Sequence, residues 1–212
     1  MIYEPVDANA PIRQGDIFKA VPRVESPLDR LAILKEDGTT VVSSWQAIAS
    51  TEPEALISAI LLMRSVTAIV ITQDCDAVRA PMISLCEIRP FMDVMKLSEP
   101  KSPKAWVELL TKQARINQKW FYLPPDDRLG LASKMAVDFQ TVLRLRREDI
   151  DEMRRDHRVG RLNEVAEAHF RERLGDFFRR YPYDEWYSFD REEFAAYRES
   201  KPEPIAPYPG QV

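Results

Sequence analysis

Residues 69–76 read Ile-Val-Ile-Thr-Gln-Asp-Cys-Asp. Two carboxylates flank a thiol directly after an apolar run, so Asp74, Cys75 and Asp76 could form a metal site, a nucleophile or a polar turn. The metal set is poor, because carboxylates suit hard cations and thiolates soft ones. Cys86, the second cysteine, has no Cys or His spacing around it to complete a zinc site. As a nucleophile Cys75 needs a base, and His157 and His169 are the only histidines. Negative neighbours also oppose a thiolate. His157 in a charged stretch is the freer partner, while His169 falls on the apolar face of an expected helix. The heaviest reading is a turn. The two Asp side chains accept from loose backbone N–H groups at a strand end, and Cys75 is a small buried hydrophobe. Between these stands a rigid, ligand-facing turn in which Gln73 and the acids recognise a base edge or a basic peptide.

The arginines from Arg144 to Arg180 are nearly balanced by acids, which reads as a solvated face laced with i to i+4 pairs. Arg144–Arg147 is the local exception, a strand that could present two guanidinium groups on one face. Tyr181, Tyr183, Trp186, Tyr187 and Phe189 could stack bases, but after a helix stop they read better as a lid on the core.

The elements that must position these residues follow from pattern. "RQGDIFKAV" is a turn into a strand, and residues 31–45 hold one or two short strands split by "EDGT". "TEPEALISAILLMR" has Thr51 as N-cap and Leu56, Ile57, Ile60, Leu61 and Met63 at helical spacing, which predicts an insertion helix over about 51–64. "VTAIVITQ" is a buried central strand and "MISLCEIRPF" its neighbour. "SPKAWVELLTKQARI" predicts a second insertion helix over about 104–116. "KWFYLPPD" is a strand, and Met135–Phe139 and Thr141–Leu145 are two more. A long terminal helix carries Leu162, Val165, Ala166, His169, Phe170, Leu174, Phe177 and Phe178 on one face and stops at Pro182. A Pro-rich flexible tail fills 191–212.

The net charge of −4 argues against a wholesale nucleic-acid footprint and leaves room for a local basic patch. No apolar run reaches the roughly 20 residues of a membrane span, and no signal-peptide pattern opens the chain, so the expectation is a cytoplasmic protein. The two cysteines cannot build a disulfide framework.

"RQGDIF" (13–18), "AIVITQD" (68–74), "ISLCEI" (83–88) and "SKMAVDFQTVLRLRREDI…RVGRLNEV" (133–165) occur in an order that resembles the MazF/PemK family of small toxins. The resemblance implies an α+β fold, a small antiparallel SH3-like β-barrel with helical insertions and a C-terminal helix, spanning residues 1–190 as one domain. It also implies a homodimer. Ribonucleases of the family carry Arg-Pro just before the second apolar strand, where this chain has Val66-Thr67 with Arg64 two residues away. A Ser or Thr expected at the end of the next strand is replaced by "EIRP" (87–90). Arg64 and Arg89 could take over the phosphate and transition-state charge, with an acid of the Asp74–Asp76 turn as base.

The expected function is a toxin-like barrel protein of a prokaryotic toxin–antitoxin or defence system that binds or cleaves RNA, with no cofactor or metal. The alternatives are a silent module that binds an antitoxin-like or effector protein, and a Cys75-dependent hydrolase.

Overall fold

β-branched residues through Val66–Val70 and the alternation in Ile83–Ile88 create two neighbouring buried strands, and the rest of the sheet is built outward from them. The structure is a computed structural model and describes residues 2–51, 54, 56–95, 100–113, 119–179 and 199. The chain runs β1 (Tyr3–Glu4), β2 (Asp16–Glu25), β3 (Leu31–Leu34), β4 (Thr40–Ser43), α1 (Trp45–Thr51), β5 (Ser58–Ile60), β6 (Leu62–Val70) and α2 (Asp74–Ala77). It continues through β7 (Met82–Pro90), α3 (Phe91–Met95), α4 (Pro103–Glu108) with a π turn at Leu109–Gln113, and β8 (Trp120–Leu123). After a 3-10 turn at Asp127–Leu129 come β9 (Met135–Arg146), α5 (Arg147–His157), β10 (Arg158–Leu162) and α6 (Glu164–Arg179). Apart from the last residue of α6, these elements belong to one unit, Met1–Phe178.

The architecture is α+β. A seven-stranded antiparallel sheet in the order β1-β10-β2-β6-β7-β9-β8 curls into a half-barrel, and β4-β3-β5 form a second small sheet. The curl brings the two outer strands of the large sheet together, where the Tyr3 hydroxyl donates to the Pro124 carbonyl at 2.8 Å.

Alternation splits the core between the two faces of the large sheet. On one face Ile17, Ile69, Cys86, Ile88, Val137, Phe139 and Leu162 pack under Ala166, Phe170, Leu174 and Phe177 of α6. On the other, Phe18, Val21, Val66, Ala68, Val70, Ile83 and Leu85 pack under Ile150 of α5 and Ala77 of α2. At the far end of that second face Phe91 lies edge-on to Trp120 and Tyr122, with centroids 4.9 and 5.2 Å away.

Several sequence expectations are corrected. The helix expected over 51–64 does not form, since Ser58–Ile60 pairs with β3 and β6 already starts at Leu62. The cross-strand partners Val24 and Ala32 outweigh the helical spacing of the apolar residues. The helix lies earlier, at Trp45–Thr51, and ends where it was expected to begin. Met135–Phe139 and Thr141–Leu145 are one 12-residue strand, β9, and the register shift opposite Cys86 and Glu87 absorbs the irregularity between them. His157, expected in a charged turn, instead ends helix α5 (Arg147–His157). Leu162 belongs to β10, while Val165, His169 and Phe178 of α6 are exposed. The second insertion helix is present as α4, capped by the Ser102 hydroxyl, which accepts from the Ala105 N–H at 3.2 Å. The aromatic run 181–189 and the tail 191–212 lie outside the described residues.

Candidate functional site

Gly15, with φ of +88°, lets the "RQGD" segment turn tightly enough for its N–H to reach the Val70 carbonyl at 3.0 Å. Asp74 braces this turn. Its Oδ1 accepts from the Gln14 N–H at 2.8 Å, and its Oδ2 accepts from Arg13 Nη2 at 3.0 Å. Gln14 is buried, donates to the Ile71 carbonyl at 2.7 Å and accepts from Arg171 Nε of α6 at 3.0 Å. The next residue, Asp16, is fully buried and accepts from Arg161 Nε at 2.6 Å and Arg158 Nη1 at 3.0 Å. Its Oδ2 also accepts from the Arg13 N–H at 3.1 Å, and a buried carboxylate needs such partners to offset the loss of water.

Asp74, Cys75 and Asp76 are not a loose turn but the single helical turn α2. Arg147 closes its C-terminal end, donating from Nη2 to the Ala77 carbonyl at 2.5 Å and from Nε to the Ala80 carbonyl at 2.9 Å. Asp76 is exposed and pairs only with Arg79, at 3.4 Å, among the described residues. Cys75 is exposed, contrary to the expected buried hydrophobe. His157 closes α5, and no hydrogen bond joins it to Cys75 among the described residues. Cys86 is the buried thiol, and burial with Asp138 nearby pushes its pKa up to about 12. Of the Arg144–Arg147 stretch, Arg146 pairs with Asp149 at 2.7 Å, and Arg147 is the α2 cap.

Arg64 and Arg89 lie elsewhere and come together. Strand parity places Arg64 on the α5 face with Val66 and Ala68, and register sets it opposite Arg23 of β2. Arg89 shares the face with Glu87, which stands opposite Asp138 of β9. A strip of charge therefore crosses β2, β6, β7 and β9, with apolar packing under α5 on one side and the Phe91 aromatic cluster on the other. Buried Glu87 accepts from Arg64 Nη2 at 3.1 Å and from Arg23. Glu25 accepts from Arg64 Nε at 2.7 Å and pairs with Arg23 at 3.2 Å. Arg89 donates to Asp138 Oδ2 at 3.3 Å, and the Thr141 hydroxyl donates to the same oxygen at 3.0 Å.

The structure thus joins two of the sequence candidates and leaves three apart. Asp74, Cys75 and Asp76 follow the C-terminal end of β6, whereas Arg64 is near its start. Six residues separate Arg64 from Val70, roughly 20 Å of strand. Arg23, Glu25, Glu87 and Asp138 were not singled out from sequence. For the two buried acids the signal was core-facing parity: Glu87 follows Ile83 and Leu85 at alternate positions of a buried strand, and Asp138 follows Ala136 in the same way.

Among the described residues no three of His, Cys, Asp and Glu gather as a metal set, and no helix is long and apolar enough to cross a membrane. Compared with family models, curated proteins and solved structures, the chain matches none.

Proposed function

We propose that the chain is a toxin-like RNA-binding barrel protein, and that the strip of Arg23, Arg64 and Arg89 holds the phosphate backbone. The observation that carries this reading is the convergence of three guanidinium groups on one sheet face beside partly exposed Trp106 and Tyr122. The curled antiparallel sheet under a terminal helix supports it too, being the arrangement the MazF/PemK resemblance implies.

The acids in the strip decide which arginine is available. Arg64 and Glu25 are 51% and 41% exposed, and an ion pair that open contributes about 0–1 kcal/mol. A hydrogen bond from Arg64 to a phosphate oxygen contributes about 1.5–3 kcal/mol. Phosphate can therefore displace Glu25 from Arg64 Nε, while buried Glu87 keeps its bonds to Arg23 and to Arg64 Nη2 and so holds both guanidinium groups in place. Cleavage is the stronger form of the proposal. Displaced Glu25 would take the proton of a 2′-hydroxyl, whose oxygen attacks phosphorus as the bond to the 5′-oxygen breaks, with Arg64 and Arg89 against the charge of the transition state. The leaving oxygen takes a proton from water, and the hydroxide so formed is neutralised by the proton on Glu25.

Binding of labelled single-stranded RNAs, followed by fluorescence anisotropy at low and moderate salt, tests this. Arg64→Ala should weaken binding roughly 10- to 150-fold and flatten the salt dependence. No binding to varied RNAs at low salt, or an Arg64→Ala protein that binds as the parent does, would sink the proposal in favour of a silent protein-binding module. Intact RNA, with or without divalent metal, removes the cleavage step alone.

A further inference from the structure

The small sheet offers a second surface, independent of the RNA reading. Register places Val42 of β4, Ala32 of β3 and Ile60 of β5 in one row across its three strands. Val42 is 62% and Ile60 56% exposed, and Leu34, diagonal to them on the same face, is 42% exposed. A three-stranded sheet with an uncovered apolar face has little to hold it in water.

β4 is an edge strand of this sheet. The Lys35 N–H donates to the Thr39 carbonyl at 2.9 Å, which fixes the ladder phase. Thr39, Val41 and Ser43 turn their backbone groups toward β3, while Thr40 and Val42 turn theirs outward. Natural edges are protected by charge, proline or a bulge. Here the edge reads Thr39-Thr40-Val41-Val42-Ser43-Ser44, with no charge and no proline.

We infer that β4 pairs antiparallel with β4 of a second copy of this chain, with Val42 at the two-fold axis. The uncharged edge favours a copy of itself, since no like charges meet in that pairing. The outward N–H and carbonyl of Val42 bond their counterparts, and the Thr40 carbonyl accepts from the Ser44 N–H of the other copy, the Ser44 carbonyl being already taken by the Ile48 N–H of α1. The row Ile60–Ala32–Val42 then continues without a break into the same row reversed, giving a six-stranded sheet with one apolar stripe. Such a contact is isologous, so it closes at a dimer instead of propagating.

Sedimentation equilibrium of the full chain tests the pairing with two variants at this exposed position. Val42→Pro removes an outward N–H without touching the β3 ladder, and Val42→Lys brings two ammonium groups together at the axis. The parent should be a dimer. Both variants should be monomers, or dissociate at least about tenfold more readily, with parent-like circular dichroism. A monomeric parent overturns the inference, as does a dimer that survives both substitutions. A dimer lost in Val42→Lys but kept in Val42→Pro also overturns it, because the contact would then be through the apolar face and not the strand edge.

Discussion

Asp74 and Asp76 stand two residues apart in α2, and replacing each with alanine should have very different outcomes. Asp74→Ala leaves the N–H of Gln14 without its acceptor, in a residue only 1% exposed. A buried donor left unpaired costs about 1–3 kcal/mol. The lost pair with Arg13 adds little, because Arg13 is 48% exposed and such pairs contribute about 0–1 kcal/mol. The sum is about 1–4 kcal/mol, or roughly 2–16 °C in the melting temperature of a unit of this size. Asp76 gives up only an exposed partner 3.4 Å away, so Asp76→Ala should stay within about 0.5 kcal/mol of the parent. Urea unfolding followed by tryptophan fluorescence measures both. If Asp74→Ala unfolds at the parent's urea midpoint, the brace described above is wrong, and the acid would have to be read as a ligand-facing group.

Further outcomes follow from the same geometry. Iodoacetamide at neutral pH should label Cys75 and leave Cys86 untouched until the protein unfolds, and mass spectrometry of the digested protein distinguishes the two. Burial, followed by the charge of Asp126, raises the pKa of Tyr3 well above the free phenol. The unfolded chain therefore gives up that proton first, near pH 10, and stability should fall as pH rises beyond it. Tyr3→Phe should be about 1 kcal/mol less stable at neutral pH, from loss of the bond to Pro124, and should show a flatter decline above pH 10 in thermal melts.

Local chemistry made much of the large sheet legible. Gly15 with Asp16 announced β2, and the β-branched density of 66–71 announced β6. Long-range pairing hid the rest. Ile57, Ile60 and Leu61 fit a helical template as well as a strand, and only the partners supplied by β2 and β3 decide between them. Arg147–His157 was read as solvated charge because a single buried residue, Ile150, anchors that helix. The strip has the same origin. Arg23 and Arg64 are far apart in sequence and meet by register, while Glu87 shows only as an acid at the wrong parity.

The bracing of the Gly15 turn also sets a clock. Gln14 waits for Arg171, 157 residues further along the chain. At a synthesis rate of about 5–20 residues per second, that partner emerges roughly 8–30 s later. For that interval β2 can pair with β6, but the side of β2 that will receive β10 stays open, with Ile17 not yet covered by α6. During synthesis the growing chain therefore keeps this N-terminal strand edge open until β10 emerges, long after β6 has covered the other side of β2.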